Sequence, residues 1–189
     1  MRAQIEGLDI HYSVEGKGSN VLLLHGWGAN IDTMMPIFNL LKKDFKVYAL
    51  DFPGFGESQE PKEIYGVYDY ARITKKFIDK MGMEEVILIG HSFGGRVSIV
   101  LSSQYNNLVK KMVLIDSAGL IPKRSLKYYI KVYSFKTLKF LYNILFFWKD
   151  NKERMEKFYK KFGSTDYQEA SGIMRRILVK VVNEDLEPH

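Results

Sequence analysis

The chain of 189 residues contains no cysteine. That absence excludes disulfides, thiolate nucleophiles and cysteine-ligated zinc, and it fits a reducing compartment. No apolar run approaches the roughly 20 residues a bilayer span needs, and the stretch from Met1 to Ile10 lacks the long apolar segment of a secretory signal. A soluble, cytoplasmic protein is the expectation. Histidine is scarce: His11, His25, His91 and His189 are the whole supply of imidazoles. Basic residues are spread among aromatics rather than gathered in one block, so no nucleic-acid partner is expected.

What is present divides unevenly. The net charge is +6, yet residues 1–120 hold 13 Lys and Arg against 14 Asp and Glu, while residues 121–189 hold 15 against 8. Two compositions suggest two units, 1–120 and 121–189. In the first, alternating residues on either side of Gly7 read as an antiparallel hairpin. Short Val, Ile and Leu runs follow at Asn20 to Gly26, Phe45 to Asp51, Glu85 to Gly90 and Lys110 to Asp116. Runs of this kind are strands buried on both faces. Helical patterns lie between them, over Ile31 to Lys43, Val67 to Met81 and Phe93 to Gln104. Strand–helix alternation predicts an α/β fold with a mostly parallel sheet and right-handed crossovers. The second unit reads as all helical, with helices expected over Lys123 to Trp148, Glu153 to Phe162, and from Thr165 along a face of Tyr167, Ala170, Met174, Leu178 and Val181.

Gly90-His91-Ser92-Phe93-Gly94 falls between a buried strand and a helix. In so tight a turn the serine takes a strained backbone, and only glycines two positions to either side avoid a clash. The strain lifts the hydroxyl clear of the sheet, and the N-terminus of the following helix favours developing negative charge. Gly95 lets that helix pack closely. The plain alternative is a glycine-rich turn with an incidental serine; the strand and helix context favours a nucleophile.

A second motif, His25-Gly26-Trp27-Gly28, ends the third strand, and a third, Asp51-Phe52-Pro53-Gly54-Phe55-Gly56-Glu57-Ser58, follows the fourth. With these motifs in this order, the sequence resembles the α/β-hydrolase family, closest to capped serine esterases and carbon–carbon bond hydrolases. The resemblance implies that residues 1–120 are the first six strands of the hydrolase core and 121–189 a helical cap. It also implies that the backbone NH groups of Trp27 and Phe93 form the oxyanion hole for a Ser92 nucleophile. His25 then reads as a structural histidine bracing its loop. Gly26, His91, Phe52 and Phe55 are the substrate-pocket candidates, although the third motif also reads as no more than a rigid turn.

The family places its catalytic acid after a seventh strand and its histidine after an eighth, and the chain contains neither strand nor either residue. Asp116, after the sixth strand, is the one carboxylate at an alternative acid position, and it reads as an ordinary loop anchor. A fragment of a longer hydrolase is the favoured reading, and a complete chain that keeps a pocket without hydrolysis is the other. The sixth strand would then be an exposed apolar edge inviting self-association. The aromatic, lysine-bearing segment after Lys123 reads as a lid over an acyl pocket or a patch touching anionic lipid, or simply as a packed face with solvated lysines.

The expected function is a serine hydrolase acting on an ester, thioester or carbon–carbon bond of a small apolar substrate, inactive or nearly so in this 189-residue form. No metal or organic cofactor is implied. Serine at position 92 argues against epoxide-hydrolase chemistry, which in this family uses a carboxylate nucleophile. The rival is a hydrolase-like protein that binds a small ligand without turnover.

Overall fold

A computed structural model describes residues 1–117, 125–145, 165–170 and 172–186. The helix expected over Glu153 to Phe162, and with it Trp148 and His189, lies outside the described residues. The chain divides into two compact units: Met1–Ile121 together with Gly172–His189, and Pro122–Ser171. The residues read as one segment, 121–189, therefore split, and their last part clusters with the first unit.

The first unit is an α/β structure. Strands β1 (Arg2–Ile5) and β2 (Leu8–Glu15) form the expected hairpin, turned by Glu6 and Gly7, both in left-handed backbone. Strands β3 (Asn20–Leu24), β4 (Lys46–Leu50), β5 (Val86–His91) and β6 (Val109–Ile115) complete a six-stranded sheet in the order β1-β2-β4-β3-β5-β6. β2 meets β4 antiparallel, and every pairing from β4 through β6 is parallel. β6 is an outer strand whose Met112, Val113 and Leu114 are exposed.

Alternation along β3 sends Leu22 and Leu24 into one apolar cluster and Val21 and Leu23 into another, so the sheet is buried on both faces. The smaller cluster is closed by Ile31, Met34 and Phe38. The single helix expected over Ile31 to Lys43 is a 3₁₀ turn, Ile31–Met34, leading into α1, Met35–Leu41. Asn30 caps the turn by accepting from the Asp32 amide, and Pro36 sits in the first positions of α1, where its missing N–H costs nothing.

The larger cluster lies under α2 (Val67–Lys80) and α3 (Phe93–Gln104). α2 buries Tyr70, Ile73 and Phe77 on one stripe, and its first turn is anchored twice. Asp69 Oδ2 accepts from the Gly66 amide at 2.8 Å, and Glu184 Oε2 accepts from the Val67 amide at 2.6 Å. Two carboxylates at a helix N-terminus complement its positive end.

In the second unit, α4 spans Leu126–Leu145 and α5 spans Thr165–Glu169. The helix expected to run on from Thr165 instead breaks, and α6 (Gly172–Asn183) begins with Gly172 at φ +53°, a left-handed backbone that no helix continues through. α6 belongs to the first unit and buries Ile177, Leu178 and Val181, and Leu186 is buried just beyond it. Each such side chain contributes about 1.5–3 kcal/mol when fully buried. Arg96 of α3 donates to the Glu184 carbonyl, so the segment after α6 ties α2 and α3 together.

Candidate active site

Ser92 occupies the turn between β5 and α3 with φ 47° and ψ −108°, a conformation that side chains rarely adopt and that costs on the order of 1–3 kcal/mol. Close packing holds it there. A Cβ on Gly90 would lie 2.5 Å from the Gly94 carbonyl oxygen and 2.6 Å from Ser98 Oγ; one on Gly94 would lie 2.1 Å from the Leu24 carbonyl oxygen. A Cβ on Gly95 would meet Ser117 Oγ, just beyond β6, at 2.2 Å. The glycines are therefore required because α3 starts hard against the ends of β3, β5 and β6. The Ser92 amide donates to the Ile115 carbonyl at 3.0 Å and fixes the turn to β6.

The loop after β3 faces this turn. A Cβ on Gly26 would lie 2.9 Å from His91 Nδ1 and 3.4 Å from Ser92 Cβ, so the missing side chain lets the loop reach the serine. Trp27 and Phe93 pack edge-on with ring centroids 5.5 Å apart. Phe55 meets Trp27 at 4.9 Å, and Phe52 meets Phe93 at 5.4 Å. The three motifs thus converge on one spot. Phe52 is fully buried and Phe55 nearly so, while Ser92, His91 and Trp27 are partly exposed. Among the described residues, the amides of Trp27 and Phe93 form no backbone hydrogen bond, and Ser92 Oγ makes no cap bond to α3.

His25 has no exposed surface. Its Nδ1 lies 2.7 Å from the Gly26 carbonyl and its Nε2 3.0 Å from the Phe52 amide. These partners assign the tautomer: Nδ1–H donates to Gly26, and Nε2 accepts from Phe52. Burial holds its pKa below the ordinary value, against the opposing pull of the Gly26 carbonyl and Asp51. Its rings' neighbours, Phe52 at 5.0 Å and Phe55 at 5.7 Å, complete the brace between the first and third motifs.

Asp51 organises the third motif, a role the rigid-turn reading did not resolve. It is buried; Oδ1 accepts from the Ile31 amide at 2.8 Å, and Oδ2 accepts from the Glu57 amide at 2.9 Å and meets His11 Nδ1 at 2.8 Å. Gly56, at φ +52°, has no room for a Cβ beside that carboxylate. Asp116 is exposed after β6, with φ +46°. His189 lies outside the described residues. Sequence reasoning missed His11, Arg96 and Glu184. Arg96 alone left a signal, a single cation inside the small and apolar run of α3. Among the described residues no group of three or more His, Asp or Glu is placed to hold a metal ion, and no helix is long and apolar enough to cross a membrane.

A mixed, mostly parallel sheet with a strained serine at a strand-to-helix turn, faced by a glycine-bearing loop, defines a class of protein by its geometry. The chain belongs to the α/β-hydrolase family: the family described as "alpha/beta hydrolase fold" matches residues 20–181. It is 32% identical over 119 residues to the 2-hydroxy-6-oxo-6-(2'-aminophenyl)hexa-2,4-dienoic acid hydrolase of Metapseudomonas resinovorans, covering 61% of this chain and 41% of that protein. It is 30% identical over 121 residues to the soluble epoxide hydrolase of Corynebacterium sp. (strain C12), covering 64% and 42%. Among solved structures, a bacterial membrane phospholipase A described as a virulence factor is 32% identical with a TM-score of 0.64, covering 66% of this chain and 41% of that one. The chain spans less than half the length of these relatives.

Proposed function

We propose that the chain carries the nucleophile and oxyanion hole of a serine hydrolase cleaving an ester, thioester or carbon–carbon bond in a small apolar substrate. One observation carries the reading: Ser92 sits in strained backbone at the start of α3, beside Gly26, with two amides that form no backbone hydrogen bond among the described residues, that of Trp27 on the loop after β3 and that of Phe93 at the first position of α3. Ser92 Oγ attacks the carbonyl, and the two amides hold the resulting oxyanion; losing one such donor typically costs a factor of ~10²–10³. Trp27, the partly exposed ring of this aromatic cluster, favours an apolar substrate. A serine at this position sets the reaction apart from that of the epoxide-hydrolase relative. Pro122–Ser171 corresponds in this reading to the family's cap.

The base that takes the Ser92 proton and the carboxylate that orients it are assigned to residues beyond those described. His25 is excluded as that base, because both its ring nitrogens are engaged and it is buried. The same gap favours one rival, a hydrolase-like protein that binds its ligand without turnover. The test uses the longest reading frame that contains this chain, with a fluorophosphonate probe and a chromogenic short-chain ester. Labelling and turnover, both abolished in Ser92→Ala, are the expected result. A folded protein showing neither refutes the enzyme reading and leaves the binding protein.

A further inference from the structure

Helix α4 presents an apolar stripe to solvent. Leu126, Ile130, Tyr133, Phe140, Leu141 and Ile144 recur at helical spacing and are 77, 60, 62, 64, 47 and 56% exposed. The helix packs by a different face. Phe135, about half a turn away from the stripe by the 3.6-residue period, meets Tyr167 of α5 edge-on at 6.3 Å within the same compact unit. A continuous exposed apolar strip of this length on a soluble domain marks a contact surface.

Charge decides what covers it. From Ser117 to Lys149 the sequence holds seven Lys and Arg and no Asp or Glu. Lys127 and Lys136 flank the stripe, one on each side, roughly 80–100° from its centre by the same helical period. Lys136 Nζ also lies 5.7 Å from the Tyr133 ring centroid, at the stripe's border. A second copy of the helix would bring like charges together across the contact, which is unfavourable. An apolar and aromatic stripe bordered by cations, on a helix too polar to cross a bilayer, is the chemistry of a helix that lies in the membrane interface.

We propose that α4 docks on an anionic lipid surface, with the stripe at the acyl boundary and the flanking lysines at the headgroup phosphates. The proposal goes beyond the hydrolase reading and does not depend on it. The test is flotation of the 189-residue chain with vesicles of phosphatidylcholine alone and with phosphatidylglycerol added at roughly one part in three, a strongly anionic composition. Partition onto the anionic vesicles is expected to exceed that onto the neutral ones and to weaken as salt shortens the Debye length. Each lysine near the surface is worth a factor of about 5, so Lys127→Gln with Lys136→Gln lowers anionic partition on the order of 25-fold. Ile130→Ser with Tyr133→Ser, at exposed positions, lowers partition onto both compositions. Equal and weak partition onto both vesicles, or binding unchanged in both double variants, overturns the proposal. So does a dimer in sedimentation velocity that the Ile130→Ser, Tyr133→Ser variant dissolves, because the stripe would then belong to a second copy.

Discussion

Replacing His25 by leucine removes the brace between the loop after β3 and the loop after β4 while keeping a side chain of similar bulk. Two buried polar groups lose their partners: the Gly26 carbonyl, which accepts at 2.7 Å, and the Phe52 amide, which donates at 3.0 Å. Each orphaned group costs about 1–3 kcal/mol, so the variant is expected to lose roughly 2–6 kcal/mol, a large part of the 5–15 kcal/mol of an ordinary domain. Urea unfolding followed by circular dichroism measures it, with an unchanged slope showing that the same surface is exposed. The pH dependence supplies a second reading. Burial holds His25 below its ordinary value of 6.5, so below that pH the unfolded chain binds a proton that the folded chain refuses. Wild-type stability from this group is therefore full above about 6.5 and is lost as pH falls toward the folded value, at up to ~1.4 kcal/mol per unit. Leucine binds no proton, so the variant's deficit is expected to shrink on acidification. A deficit under about 1 kcal/mol at neutral pH, or one that grows as pH falls, refutes the bracing role.

Gly94→Ala places a methyl 2.1 Å from the Leu24 carbonyl oxygen and forces backbone to move, at about 3 kcal/mol or more, whereas Gly28→Ala meets nothing within 4 Å and carries only left-handed strain of ~1–2 kcal/mol. Denaturant midpoints that rank the two the other way would contradict the close approach of α3 to β3. Asp51→Asn leaves one oxygen for two backbone donors, the Ile31 and Glu57 amides that the two carboxylate oxygens accept from separately, and is expected to cost about 1–3 kcal/mol in the same assay. Glu184→Ala removes an acceptor from the first turn of α2 and should cost ~1 kcal/mol, with Glu184→Gln recovering part of it by keeping the hydrogen bond without the charge. Amide exchange at Val67 that is unchanged in Glu184→Ala would show that the carboxylate does not cap the helix.

The sequence alone determined the order of the six strands and of α2 and α3 in the first unit, because strands buried on both faces must be apolar runs and the helices between them must carry one apolar stripe. It also determined the position of the serine through the Gly-x-Ser-x-Gly spacing; the crowding at Gly90 is local, from the Gly94 carbonyl and Ser98, while the carbonyl that excludes a side chain at Gly94 is that of Leu24 in β3. What remained invisible depends on residues far apart in the chain. Nothing near Asp51 announces His11, forty residues earlier, and nothing near Val67 announces Glu184, 117 residues later. The segment from Gly172 on reads as a continuation of the preceding helix by period, because the periodicity of an apolar face does not record which surface buries it. Only the tertiary structure decided that α6 packs with the hydrolase core and that the apolar stripe of α4 remains in solvent.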